Sequence, residues 1–230
     1  MPASPKQMTL NLPDVDLCVF EWGVPGGQQV LLVHATGFHA RCWDQIVAGL
    51  PEDWHIFAVD MRGHGRSGNV PPYKWPQFGS DLLHVCEMLG LKDAIGVGHS
   101  MGGHGALTLA MGLKDRFRSV SAFSPICNPT TTDWGRKQLS AYLGPNESTW
   151  EAHDATLQMR ANGLDIPLLI DIGTDDQFMT QLKPEALAAA AMERRIPCAL
   201  RLQEGYDHSY FFVSTFIEEH ITFHAEALYS

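Results

Sequence analysis

Asp93-Ala-Ile-Gly-Val-Gly-His-Ser-Met-Gly-Gly-His-Gly-Ala-Leu-Thr-Leu-Ala-Met111 is the stretch on which the fold turns. Asp93 to Gly98 is short and apolar and follows the turn-like Gly90-Leu-Lys, which predicts a buried strand. Gly103 to Gly112 carries Gly105-Ala-Leu-Thr-Leu-Ala-Met, long and apolar enough for a buried helix. Between the two, Gly98-His-Ser-Met-Gly102 sets a serine between two glycines at a strand-to-helix turn, the Gly-x-Ser-x-Gly pattern of a nucleophile elbow. Such a turn strains the serine backbone and lifts its hydroxyl clear of the sheet. The flanking glycines let strand and helix backbones approach closely.

Outward from this point the chain alternates between strand and helix. Met8 to Leu12 and Asp16 to Trp22 read as an antiparallel pair joined at Pro13-Asp14. Buried strands are predicted at Gln28 to His34, His55 to Asp60, Ser119 to Phe123, Ile166 to Ile172 and Cys198 to Gln203. Helical spacing appears over Arg41 to Leu50, Gln77 to Leu89, Pro184 to Arg194 and Tyr210 to Ala227. Alternation of this kind predicts an α/β fold: a mostly parallel sheet with helices on both faces and right-handed crossovers. Residues from about Cys127 to Leu164 break the rhythm, being rich in Thr, Asn, Trp and Tyr, and read as a small lid-like insertion over the carboxyl ends of the strands. There Trp134, Tyr142 and Trp150 either line a pocket or pack the insertion onto the sheet.

At 230 residues and 45% hydrophobic content the chain can bury a full core as one domain, 1–230. A net charge of −10 argues against a nucleic-acid partner, which requires clustered Lys and Arg. The five widely spaced cysteines lack a Cys-x-x-Cys pair and fit reduced thiols in a cytoplasmic protein. Met1-Pro-Ala-Ser-Pro-Lys-Gln has no apolar signal-like stretch, and no run approaches the roughly 18 apolar residues of a membrane span. The expectation is a soluble, cytoplasmic protein with no membrane partner; a homodimer is left open.

A serine hydroxyl needs a base to take its proton and a carboxylate to hold that base in the right tautomer. On folds of the α/β-hydrolase type the chain order is Ser, then Asp or Glu, then His. Of the eleven histidines, His153, His208, His220 and His224 follow Ser100 with an acid between. His208 lies in Gly205-Tyr-Asp-His-Ser209, directly after the last predicted strand and at the sheet edge that carries Ser100. His220 and His224 are predicted on one solvated face of the terminal helix, too far along to reach that edge, and His153 is a reserve in the insertion. For the acid, Gly173-Thr-Asp-Asp-Gln-Phe178 follows a predicted strand at the same edge, and spacing alone leaves both Asp175 and Asp176 open.

An oxyanion hole requires the N–H after the nucleophile, that of Met101, and a second from the loop after the first buried strand. That loop is His34-Ala-Thr-Gly-Phe38, with Thr36 as the expected donor, while His34 and His39 read as loop-shaping side chains. Gly63-His-Gly-Arg-Ser-Gly68 satisfies the G-x-G-x-x-G dinucleotide pattern. However, the proline-dense Asn69 to Pro76 follows where a helix would have to open, so these glycines are expected to shape a tight loop near a site entrance.

Two resemblances emerge from these residues. Over about 30–103, His34-Ala-Thr-Gly-Phe38, Asp60-Met-Arg-Gly-His-Gly-Arg-Ser67 and Gly98-His-Ser-Met-Gly-Gly103 resemble the α/β-hydrolase group of small esterases, epoxide-hydrolase-like and lactonase-like enzymes. Over about 98–228 four stretches carry the likeness. They are Gly98-His-Ser-Met-Gly-Gly-His-Gly-Ala-Leu107, Ser119-Val-Ser-Ala-Phe-Ser-Pro-Ile-Cys-Asn-Pro129, Leu182-Lys-Pro184 and Gly205-Tyr-Asp-His-Ser-Tyr-Phe-Phe212. These resemble the S-formylglutathione hydrolase (esterase D) family. That resemblance implies an α/β-hydrolase fold, Asp176 as the acid and His208 as the base, and no cofactor or metal. It also implies an acyl ester or thioester substrate. The family's Leu-Thr-Cys-Thr-like oxyanion loop is replaced here by His-Ala-Thr-Gly-Phe, which implies altered specificity. The two resemblances meet at Gly98 to Gly103, as in a chimera of two hydrolases. An acyltransferase or lactonase would use the same residues, and a catalytically silent scaffold on this fold is the reading from a different class.

Overall fold

The computed structural model describes residues 4–71, 73–113 and 115–229, the side chains of 75, 76 and 229 excepted. Eight strands form one sheet: β1 (Lys6–Asn11), β2 (Asp16–Gly23), β3 (Gln29–Val33), β4 (His55–Val59), β5 (Ala94–His99), β6 (Phe117–Phe123), β7 (Leu168–Gly173) and β8 (Cys198–Gln203). Their spatial order is β1-β2-β4-β3-β5-β6-β7-β8. The β1–β2 and β2–β4 pairings are antiparallel. All the others are parallel. The helices are α1 (Asp44–Val47), α2 (Trp75–Met88), α3 (Met101–Gly112), α4 (Asp133–Leu143), α5 (Ala155–Asn162), α6 (Met179–Leu182), α7 (Pro184–Glu193) and α8 (Tyr210–Tyr229).

The central strands are apolar at nearly every position because both sheet faces are covered, and the two-residue period sorts their side chains between two cores. Leu31, Val33 and Phe57 join Leu82 and Val85 of α2 and Leu107 of α3 on one face. Val30, Leu32, Ile56 and Ala58 join Trp43, Phe212 and Ile217 on the other. In β5 the large residues, Ile95 and Val97, fall on the second face. Ala94, Gly96 and Gly98 fall on the first, which lets α3 lie close against the strand.

Every predicted strand is present within two residues of its expected ends. The helical spacing over Arg41 to Leu50 is realised only as a 3-10 turn at Ala40–Trp43 followed by the four-residue α1. Pro72, part of the proline run, lies outside the described residues, as do 1–3 of the amino-terminal segment. The expected solvated face of the last helix is corrected. His220 and His224 are buried. The His224 ring bridges the Ser119 and Ser121 hydroxyls at 2.7 and 2.8 Å. His220 stacks on Phe123 with ring centroids 3.8 Å apart, and its Nε2 lies 3.4 Å from buried Asp171. The helical period places these histidines against the polar residues of β6 and β7, which a reading of α8 by itself does not reveal.

The segment between β6 and β7 is ordered by its own caps. Thr132 accepts from the Gly135 amide at the start of α4, and Asp154 accepts from the Leu157 amide at the start of α5. Asp154 also takes the Thr130 amide and hydroxyl, which pins the segment's two arms together.

Candidate active site

All the expected site residues stand at the carboxyl ends of parallel strands, beside the point where the chain leaves β4 and returns to the far side of β3 as β5. In open α/β sheets this switch point is where ligands bind. Ser100 follows β5 with φ 55° and ψ −115°, a backbone conformation costly for a residue with a side chain. It is held there at both sides: the Ser100 amide donates to the Phe123 carbonyl (2.8 Å), and the Ser100 carbonyl accepts from the His104 amide (2.9 Å). The flanking glycines are steric requirements. A Cβ on Gly98 would come within 2.2 Å of the Gly102 carbonyl oxygen, and one on Gly102 within 2.3 Å of the Val33 carbonyl oxygen.

His208 and Asp176, contributed by the loops after β8 and β7, meet directly. The His208 Nδ1 lies 2.7 Å from Asp176 Oδ2. Of the two aspartates that spacing left open, Asp176 is buried against the imidazole and Asp175 is exposed. Burial by itself would raise the Asp176 carboxyl. The hydrogen bonds from His208 and Ser124 outweigh it and hold the group below the usual carboxylate range. Two further donors complete the carboxylate's shell: the Ser124 hydroxyl at 2.7 Å and the Phe178 amide at 2.8 Å.

Ser124 was not anticipated. It follows β6 with a positive φ of 43°, and the one sequence signal is a polar residue, before Pro125, ending a buried strand at the edge shared by every other site residue. Also unanticipated is His99, whose buried ring lies 5.1 Å from that of His208 and packs against Phe38 and Tyr210. Burial depresses its pKa to about 3, so it stands as a neutral, largely apolar plate behind His208.

Ser100, Met101, Thr36 and His208 line one cavity of about 530 Å³. Thr36 sits in a turn closed by the Phe38 amide on the Ala35 carbonyl (3.1 Å), with Gly37 at φ +83° in the position that favours glycine. The Thr36 hydroxyl contacts Met101 Sδ at 3.3 Å. Buried Asp60 ties the loops together, its two oxygens accepting from the Ala40 and Arg66 amides at 2.6 and 2.7 Å. The glycine-rich loop of residues 63–68 opens onto this cavity, Gly63 and His64 lining it. Arg62 anchors that loop through Asp81 (2.8 Å) and Asp14 (2.9 Å).

His34 is buried, its Nε2 accepting from the Met61 amide (3.0 Å) and its Nδ1 donating to the Ala35 carbonyl (2.7 Å). It shapes the loop, as expected. His39 is exposed. From α4, Trp134 and Tyr142 line the cavity. Trp150 is buried within the insertion and donates to the Gly144 carbonyl at 3.0 Å. His153 borders a different cavity from Ser100. Among the described residues no three His, Cys, Asp or Glu side chains are grouped to hold a metal ion, and no helix is long and apolar enough to cross a membrane.

Comparison with known proteins agrees with this architecture. A family model named Esterase matches residues 91–223, and one described as alpha/beta hydrolase fold matches residues 29–147. The S-formylglutathione hydrolase of Paracoccus denitrificans is 57% identical over 138 residues, which are 60% of this chain and 50% of that protein. The S-formylglutathione hydrolase of Mus musculus is 55% identical over 134 residues, 57% of this chain and 48% of that one. The chain thus spans about half the length of the curated relatives it matches. Among solved structures, an S-formylglutathione hydrolase from Agrobacterium tumefaciens superposes with a TM-score of 0.80 at 24% identity, covering 99% of this chain and 97% of the other. A thioesterase domain from the curacin biosynthetic pathway gives 0.69 at 17% identity, with 98% and 99% covered. Each family model takes in more than half of the 230 residues, and the chain belongs to the esterases of the α/β-hydrolase fold.

Proposed function

We propose that this protein is a serine hydrolase that cleaves small carboxylic esters or thioesters through an acyl-enzyme, with Ser100, His208 and Asp176 as its triad. The observation that carries this reading is the His208–Asp176 pair at 2.7 Å, opening onto the cavity that also holds the strained Ser100. With Nδ1–H donated to the carboxylate, the His208 Nε2 is left as the acceptor for the Ser100 proton. Ser100 Oγ adds to the substrate carbonyl carbon as its proton passes to Nε2. The resulting oxyanion is met by the Met101 amide at the start of α3, where the helix dipole favours negative charge, and by the Thr36 amide. Collapse expels the alcohol or thiol, which leaves with the proton from His208. Water then repeats the sequence on the acyl-enzyme, releasing the acid and restoring Ser100.

The finer identity belongs to the same proposal. Residues 30–103 and 98–228 are read as two hydrolase ancestries joined at Gly98 to Gly103. The two family models that divide the chain with an overlap support this, as does 57% identity confined to 138 residues. With His34-Ala-Thr-Gly-Phe38 in place of the oxyanion loop of S-formylglutathione hydrolases, specificity is expected to shift away from S-formylglutathione. The 127–164 segment is proposed to cap the site as a lid through Trp134 and Tyr142, and the protein to work in the cytoplasm.

Covalent labelling by a fluorophosphonate probe, followed on the intact protein and on Ser100→Ala, tests the core of this reading. Stoichiometric labelling of the wild type and none of the variant is expected, with hydrolysis of p-nitrophenyl acetate falling by about 10⁴-fold or more in the variant. An unlabelled wild type favours the silent-scaffold reading. Parallel rates with S-formylglutathione and S-lactoylglutathione measure the shift in specificity.

A further inference from the structure

A second cavity, of about 400 Å³, lies between α2 and α3 on the other side of Met101 and Phe78, and these two residues line both cavities. Leu82 and Leu83 of α2 form one wall, Gly105 and Leu109 of α3 the other, and His153 joins the lining from the turn before α5. Among the described residues no Asp, Glu, Lys or Arg lines it. Its histidines bring no charge at neutral pH. Burial pushes His34 down to about 4 and also lowers His104 and His153. His34 spends both ring nitrogens on backbone groups, and His104 spends Nδ1 on the Ile126 carbonyl at 2.7 Å. Ser80, Thr108 and Gln158 apart, the walls therefore offer hydrocarbon contact and no counter-charge, which suits a saturated chain and not the carboxylates and ammonium of a glutathione moiety.

The partition between the cavities is a flexible one. The Met101 side chain has three rotatable bonds and an adaptable thioether, and among the described residues its one hydrogen bond is from the Thr36 hydroxyl at 3.3 Å. The Met101 backbone amide is the proposed oxyanion donor, so a carbonyl bonded to Ser100 sits one residue from this door. Resting on the serine-hydrolase reading above, we infer that the second cavity is an acyl-chain pocket entered past Met101 and Phe78. It makes the protein an acyl-ester hydrolase suited to unbranched chains of about six to ten carbons, and burial of each methylene contributes about fourfold in kcat/KM.

The test uses p-nitrophenyl esters from acetyl to decanoyl with the wild type, Gly79→Leu and Met101→Ala. Gly79 lines the second cavity on helical backbone, and a Cβ there meets nothing within 4 Å. Leucine at 79 enters the cavity from a position where its Cβ has room, and it improves helix propensity. The wild type is expected to prefer octanoyl over acetyl by about 10³-fold, from six further methylenes at about fourfold each. Gly79→Leu should cut the octanoyl rate by about tenfold with the acetyl rate unchanged, and Met101→Ala should raise the octanoyl-to-acetyl ratio. Alkyl acetates of increasing alcohol length should show no such response; a response there and not in the acyl series overturns the assignment. Binding of octan-2-one, a neutral ester analogue that is not turned over, is followed in parallel by ligand-observed NMR. Binding that weakens in Gly79→Leu while no ester is hydrolysed sinks the hydrolase reading and keeps the pocket. Binding and chain-length profile both indifferent to Gly79→Leu overturn the pocket.

Discussion

Residues 98–228 and residues 29–97 contribute differently to the same cavity. The carboxyl-terminal region, most of it within the Esterase match, carries Ser100, Ser124, Asp176 and His208. The amino-terminal region contributes Thr36, Phe38, His64 and Tyr73 to the walls. In the first, Ser124, Asp176 and His208 touch one another through short hydrogen bonds and Ser100 is fixed by its own backbone bonds, so each position is tightly constrained. In the second, the groups frame space, and their loops are held from behind by Asp60, Arg62 and His34. Reactive chemistry demands the former arrangement, whereas selection among substrates needs only the latter, and such walls can differ between proteins while the chemistry stays the same.

The largest effect that would break this contrast is in the carboxyl-terminal region. Asp176→Asn removes the carboxylate that orients His208 and is expected to lower kcat for p-nitrophenyl acetate by about 10⁴-fold. Asp175→Asn, at an exposed neighbour, should stay within about twofold, since surface changes away from special contacts have small effects. Equal losses in the two variants would contradict the geometry.

Next in size is the close contact of α3 with β3. Gly102→Ala places a methyl 2.3 Å from the Val33 carbonyl oxygen of β3, forcing α3 away from the amino-terminal strands. A loss of about 3 kcal/mol in urea unfolding is expected. A loss below about 0.5 kcal/mol, the scatter of ordinary surface changes, would mean that the two regions are not clamped there.

The smallest effect per residue is graded with pH. Burial lowers His99 to about 3 and His34 to about 4, and it lowers His104, His220 and His224 as well. Their folded pKa values fall below that of the unfolded chain, near 6.5, so on acidification the unfolded state takes up protons first. Stability contributed by these neutral rings is full above about pH 6.5 and is lost as pH falls toward their folded values. Each contributes up to about 1.4 kcal/mol per pH unit in that window. Four of the five lie in residues 98–228. Thermal melts from pH 7 to 4.5 should show the decline beginning above the carboxylate range, and His224→Gln should flatten it by about one proton. A profile level down to pH 5 would refute the buried, neutral assignment.

Much of this was legible along the chain. The two-residue and 3.6-residue periods located the strands and long helices, and the elbow needed only its flanking strand and helix to stand out. Chain order together with position after the last strand singled out His208. Where the reading fell short, the missing information lay in another element. The histidines of α8 look solvated until β6 presents Ser119 and Ser121 to them. Trp150 reads equally as a pocket residue or a packing residue until the insertion folds around it.

The sequence by itself determined the α/β alternation, the strained turn at Ser100 and the edge of the sheet at which its partners had to lie. These follow from short-range periodicity and from the steric needs of glycine, both written in consecutive residues. Only the tertiary structure decided that Asp176 and not Asp175 meets His208, that Ser124 braces the pair, and that Met101 and Phe78 divide two cavities. Each of those outcomes depends on loops from different strands arriving at the same place. Side-chain meeting across tens of residues is set by how the strands are ordered and stacked, and no local pattern encodes it.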